Sequence, residues 1–76
     1  MNNKRRAILK KAIDTLEIAS NYINNVLDEE QDSLDNMPEN LESSEKYSKM
    51  ETAIEKLEDA IEQIDDAKNC IEEASE

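Results

Sequence analysis

Residues 47–74 read YSKMETAIEKLEDAIEQIDDAKNCIEEA. Tyr47, Met50, Ile54, Leu57, Ile61, Ile64 and Ile71 follow alternating steps of three and four, interrupted only by Lys68. Such spacing places one apolar stripe along one side of an α-helix. Ala53, Ala60, Ala67 and Ala74 recur every seven residues beside that seam, so a second flank of the same helix is lined by small side chains. Everything else in the chain reads as a segment that packs on this helix or leads to it.

Upstream, residues 4–34 carry a second periodic pattern. One seam runs through Leu9, Ile13, Leu16, Ser20, Ile23, Leu27 and, after Glu30, Leu34. Another, one residue out of step, runs through Ile8, Ala12, Thr15, Ala19, Tyr22 and Val26. The two lie about 100° apart on a helix, so the apolar face is wider than one partner helix covers. The first seam is expected to pack within the chain. The second is expected to pack against another chain.

Between them, residues 35–43 break the pattern. Met37 precedes Pro38, which disfavours the helical region at residue 37. Pro38 followed by Glu39 suits the start of a short helical turn. Asp35 and Asn36 suit a turn or a cap, and Ser43 or Ser44 can cap the next helix, with Ser48-x-x-Glu51 as a later competing start. The expectation is a single all-α unit over residues 1–76. Helices at about 4–34 and 44–74 form an antiparallel two-helix hairpin, each about 45 Å long. The uncovered faces predict dimerisation into a four-helix bundle, with Ile8, Ala12, Ala19, Tyr22, Val26, Ala53, Ala60 and Ala67 at the contact.

Composition agrees. There is no glycine and one proline, which argues against tight hairpin turns and phosphate-cradling loops. A chain of 76 residues buries little surface, and one cysteine with no histidine supplies neither a disulfide framework nor a zinc cluster. Self-association or a partner is the remaining source of stability. No apolar run follows the basic start, so no signal peptide or membrane span is expected, and the free thiol points to the cytoplasm. No cofactor is implied.

Charge is uneven. Lys4, Arg5, Arg6, Lys10 and Lys11 give the first eleven residues +5, and the remainder, with 20 acids and four lysines, carries −16. An antiparallel fold sets the basic start beside Asp65, Asp66, Glu72, Glu73 and Glu76, and Asp28, Glu29 and Glu30 beside Lys46 and Lys49. That arrangement would answer a first helix whose charges oppose its own macrodipole.

The stretch from Asp28 to Glu45, with its Asp35-Asn36-Met37-Pro38-Glu39 turn, and the following Ala53-Ile54-Glu55-Lys56-Leu57-Glu58-Asp59-Ala60-Ile61 repeat, resembles small acidic proteins encoded by bacteriophages and bacterial mobile elements. The likeness spans about residues 27–74. It implies a helical hairpin and a phage-like context, and it transfers no catalytic or binding residue.

Four groups of residues invite a functional reading. The acidic face of the second helix, Glu51, Glu55, Glu58, Asp59, Glu62, Asp65 and Asp66 with Glu72 and Glu73, would repel nucleic acid and suits a basic protein surface. A dimer about 45 Å long would carry one net charge per ~2 Å, close to the roughly 1.7 Å of duplex DNA, so mimicry of nucleic acid is one form of this reading. The plain alternative is a solvated helix face. The basic cluster Lys4, Arg5, Arg6, Lys10 and Lys11 could hold a nucleotide-like anion between subunits, or simply pair with acids of the second helix. Asn21, Asn24 and Asn25 around Tyr22 form a neutral polar belt, as a contact surface or a close helix crossing. Asp32, Asp35, Asn36, Glu39, Asn40 and Glu42 gather at the turn without the glycine or ligand spacing of an EF-hand, and caps explain them. Cys70 is expected to fill the edge of the buried stripe.

With no activated nucleophile and no cleft to shift a carboxyl pKa, the chain does not read as an enzyme. The expected function is that of an interaction protein that binds and inhibits or modulates a host protein, a bacterial defence component among the candidates. A sequestering protein for an anionic signal and a purely structural bundle are the alternatives.

Overall fold

The computed structural model describes residues 1–76. Helix α1 spans Asn3–Asp35 and helix α2 spans Glu45–Ala74, joined through a 3-10 turn at Glu39–Leu41. The two helices pack on each other as a hairpin, and no strand is present.

Local chemistry sets the boundaries. The Asn2 side chain accepts from the Arg5 N–H at 2.8 Å and so caps α1. Asn36 ends α1, where its main-chain N–H and its Nδ2 both donate to the Asp32 carbonyl. Met37 leaves the helical pattern ahead of Pro38, and the Leu41 N–H closes the short turn onto the Pro38 carbonyl at 2.9 Å. Of the serines able to start α2, Ser44 does so, with its hydroxyl accepting from the Tyr47 N–H at 3.2 Å. Glu45 then sits in the first turn, where the helix dipole favours an acid.

Arg6 meets the main-chain oxygens of Ser75 and Glu76 at one end of the hairpin, and Glu30 shares a groove with Met50 near the other. The Arg6–Ser75 pairing is symmetric about residues 40 and 41, inside the turn, as an antiparallel hairpin requires. The seam residues of α1 that the spacing singles out, Leu9, Ile13, Leu16, Ile23, Leu27 and Leu34, are all half-buried, as are Tyr47, Leu57, Ile61, Ile64 and Ile71 of α2.

Only Ser20, Met50 and Ile54 are buried, and none of them completely. Two helices share one seam, and each seam side chain still faces water on its flanks. The hairpin extends 59 × 15 × 12 Å, and its radius of gyration is 17.4 Å, where a compact chain of this length would have about 11 Å. Its accessible surface is 5825 Å², against about 4,700 Å² for a compact protein of its mass. The excess follows from the elongated shape, in which two helices share a single seam.

Candidate functional site

The second stripe of α1 lies in water. Ile8 is 56% exposed, Tyr22 69% and Val26 51%, whereas Ala12 and Ala19 between them are half-buried. Ala53, Ala60 and Ala67 of α2 are half-buried too, and Ala74 is exposed. Ile18, in neither seam, adds to this apolar surface at 55% exposure, one helical turn before Tyr22. Sequence periodicity passed over Ile18 because it falls far round the helix from the intrachain seam; the i, i+4 relation to Tyr22 was the available signal.

The acidic surface of α2 is exposed along its length at Glu51, Glu55, Glu58, Asp59, Glu62, Asp65 and Asp66. The hairpin holds two ion pairs, Lys49–Glu45 at 3.3 Å and Lys68–Asp65 at 3.4 Å, and both lie within α2. The expected ion pairs between the helices are therefore not formed. Neither does the basic start pair with Asp65, Asp66, Glu72, Glu73 or Glu76, nor do Asp28, Glu29 and Glu30 pair with Lys46 and Lys49. Long exposed side chains lose more entropy on pairing than a screened surface attraction returns. One basic residue does cross. Arg6 donates from Nε to the Ser75 oxygen at 2.8 Å and from a terminal guanidinium nitrogen to the Glu76 oxygen at 3.2 Å. It caps the negative end of the α2 dipole through main-chain oxygens instead of meeting an acidic side chain.

Lys4, Arg5, Lys10 and Lys11 remain exposed and pair with no carboxylate. The two concave regions of the surface lie at the opposite end of the molecule. One groove is lined by Glu30, Glu45, Lys46, Lys49 and Met50, and the other by residues around Met37 and Pro38 with Glu30, Lys46 and Met50. Both are wide open, so neither is a pocket for a small anion beside the basic cluster. No three carboxylates or thiols come close enough together to hold a metal ion.

Three further expectations change. Cys70 is exposed and does not fill the edge of the seam, because its position falls beyond the alanine flank. The length of 59 Å lowers the line density of charge: −11 per chain is one net charge per about 5.4 Å, and a side-by-side dimer would have one per about 2.7 Å. That is sparser than the roughly 1.7 Å of duplex DNA, so the match in line density expected for a mimic is not reached. Asn21, Asn24 and Asn25 are exposed, whereas Ser20 beside them is 6% exposed and the most deeply placed polar side chain. Ser20 is the small residue of the α1 seam, and no fully occluded polar side-chain atom lacks a partner.

One ionisable group departs from its ordinary behaviour. The Tyr47 hydroxyl is pushed up, first by desolvation and then by the negative charges of Glu51, Glu42 and Asp35. A raised phenol at the turn end is neutral over the working range of a cell and contributes packing, not acid–base chemistry. No helix is long and apolar enough to cross a membrane. No protein-family model, curated protein or solved structure matches the chain.

Proposed function

We propose that the chain is a small, non-catalytic interaction protein of phage-like origin. It acts in the host cytoplasm, self-associates through its apolar face, and binds a host protein, which it inhibits or modulates. The observation that carries this reading is the state of α2: Glu51, Glu55, Glu58, Asp59, Glu62 and Asp66 run along one helix, exposed and without an ion-pair partner. A net charge of −11 on so narrow a body steers it toward a basic surface and away from nucleic acid. The resemblance of residues 27–74 to phage-encoded acidic proteins points to the same setting.

The test compares the unaltered chain with a Glu58→Gln, Glu62→Gln, Asp66→Asn variant in co-purification from bacterial lysate. Expected is a partner that the unaltered chain retains at low salt and releases at high salt, and that the variant does not retain although its helicity by circular dichroism is unchanged. Equal retention by both would remove the acidic face from the proposal.

A further inference from the structure

The exposed apolar face is self-complementary, and the register of the hairpin makes it so on both helices at once. On α1, Ile8 and Val26, Ala12 and Tyr22, and Thr15 and Ala19 are each symmetric about residue 17. Large residues thus face small or mid-sized ones when the stripe is laid antiparallel on its own copy. On α2, Ala53 and Ala74, and Ala60 and Ala67, are symmetric about the point between Gln63 and Ile64. These two centres belong to different helices, and the sequence places no constraint on their relative height. The fold does. Taking Arg6 as level with Ser75, to whose oxygen it donates at 2.8 Å, residue 17 lies opposite residue 64, so the two centres fall at about the same height.

The two stripes also share a side. Each is turned about 90–100° from the seam of its own helix, in the same rotational sense, at 100° per residue. In an antiparallel pair, flanks of the same sense lie on the same side. The α1 stripe and the α2 alanines therefore form one continuous face.

Charge follows the same symmetry. Lys4 and Glu29, and Arg5 and Glu30, are symmetric about residue 17 to within half a residue, and each couple sits on one edge of the stripe. None of these four is in an ion pair of the hairpin. An antiparallel copy sets Lys4 against Glu29 and Arg5 against Glu30. A copy with its two-fold axis along the helices lays α1 on α2 instead, so Lys4 and Arg5 do not meet Glu29 and Glu30. The antiparallel copy also brings acids to the basic first turn of α1, which has no acidic residue of its own. From Lys4 to Glu30 the face is ~39 Å long and two helices, ~20 Å, wide, so a dimer would bury about 1,560 Å², within the range of stable protein interfaces.

The geometry points to a second copy of this chain, laid head-to-tail on that face about a two-fold axis that passes between Thr15 and Ala19 of α1 and between Ala60 and Ala67 of α2, as its occupant. The inference rests on the self-association in the proposed function and adds its orientation and register. A four-helix bundle results, with α1 against α1 and α2 against α2, and the acidic surface of each α2 left outward.

Disulfide trapping of purified protein tests it. In a Cys70→Ser background, Lys4→Cys and Glu29→Cys are made singly and together. The two positions are too far apart on one helix to join within a chain. Expected is a gain of covalent dimer from near nothing in either single variant to most of the chain in the double variant. Self-cross-linking of either single variant would overturn the head-to-tail arrangement, and a monomer by sedimentation at all concentrations would overturn the inference entirely. Spin labels on the native Cys70, which is exposed, give a second reading without altering the face. Head-to-tail packing offsets the two labels by ~20 Å along the axis, whereas parallel packing sets them level and overturns the inference. Neither experiment involves a host protein, so failure of the acidic-face proposal would leave this result standing.

Discussion

Arg6 closes the open end of the hairpin by donating from Nε to the main-chain oxygen of Ser75 at 2.8 Å, across 69 residues of sequence. The contact satisfies a carbonyl that the last turn of α2 cannot, and it places a cation at the negative end of that helix. It is the long-range side-chain hydrogen bond, with its companion to Glu76, that joins the two helices.

Replacing Arg6 by Met keeps the stem and removes the fork. The loss should be about 1 kcal/mol, since the bond is charge-assisted but partly exposed, and a loss of that size lowers Tm by about 4–8 °C in a domain this small. Arg6→Lys should recover less than half, because one ammonium cannot span two oxygens in the guanidinium geometry. Thermal melts of the three proteins, read by circular dichroism, decide it; an unchanged Arg6→Met melt would show that the cap contributes nothing.

Ser20 should tolerate loss of its hydroxyl and reject bulk. It is 6% exposed, a small side chain in the seam between the helices. Ser20→Ala is expected to shift stability by under about 0.5 kcal/mol, and Ser20→Leu to cost about 1–3 kcal/mol by forcing the helices apart. Urea unfolding measures both. A Leu variant as stable as the parent would mean that the seam has room to spare.

Lys68 interrupts the apolar seam of α2, with its side chain 22% exposed and paired to Asp65 at 3.4 Å. A largely covered lysine gives up hydration for one partner on its own helix. Lys68→Leu should therefore stabilise the hairpin by about 1 kcal/mol, the gain of apolar burial exceeding the loss of a surface pair. A raised urea midpoint with an unchanged slope is the expected result; a lowered midpoint would assign Lys68 a partner across the seam.

Tyr47 makes stability sensitive to alkali. Its hydroxyl ionises above the ordinary value of 10.0, because desolvation and then Glu51, Glu42 and Asp35 disfavour the phenolate. A folded-state value above the unfolded one means that the folded protein holds the proton more tightly. The contribution is complete below pH 10 and is lost as pH rises through the unfolded value toward the folded one. In a Tyr22→Phe background, phenolate absorbance should report a midpoint above 10.0, and denaturation in urea should bring it down to the ordinary value.

Much of the fold could be read from period and punctuation. Leu9 to Leu34 and Tyr47 to Ile71 keep a helical step that strands cannot share, and Pro38 after Met37 stops one helix while Ser44 starts the next. The exposed stripe of Ile8, Tyr22 and Val26 was legible in the same period, whereas the acidic and basic surfaces were legible as composition only. Charge pairs drawn between helices, from Asp28–Glu30 to Lys46 and Lys49, did not form as ion pairs, since exposed ions gain too little from each other to fix long side chains. Cys70 and Ile18 were misplaced or missed because position around a helix is meaningful only relative to the face its neighbour occupies.

The residues by themselves determined two amphipathic helices, their caps, the direction of the turn and a chain charge of −11, because these follow from local bonding and from the 3.6-residue period. Register was decided only by the tertiary structure. Sliding one helix along the other by a turn preserves an apolar seam and changes little in local energy. Contacts distant in sequence select among such registers, here Arg6 on the main-chain oxygens of Ser75 and Glu76 at the open end. That choice sets residue 17 level with residue 64, and so decides whether two separate stripes become one face.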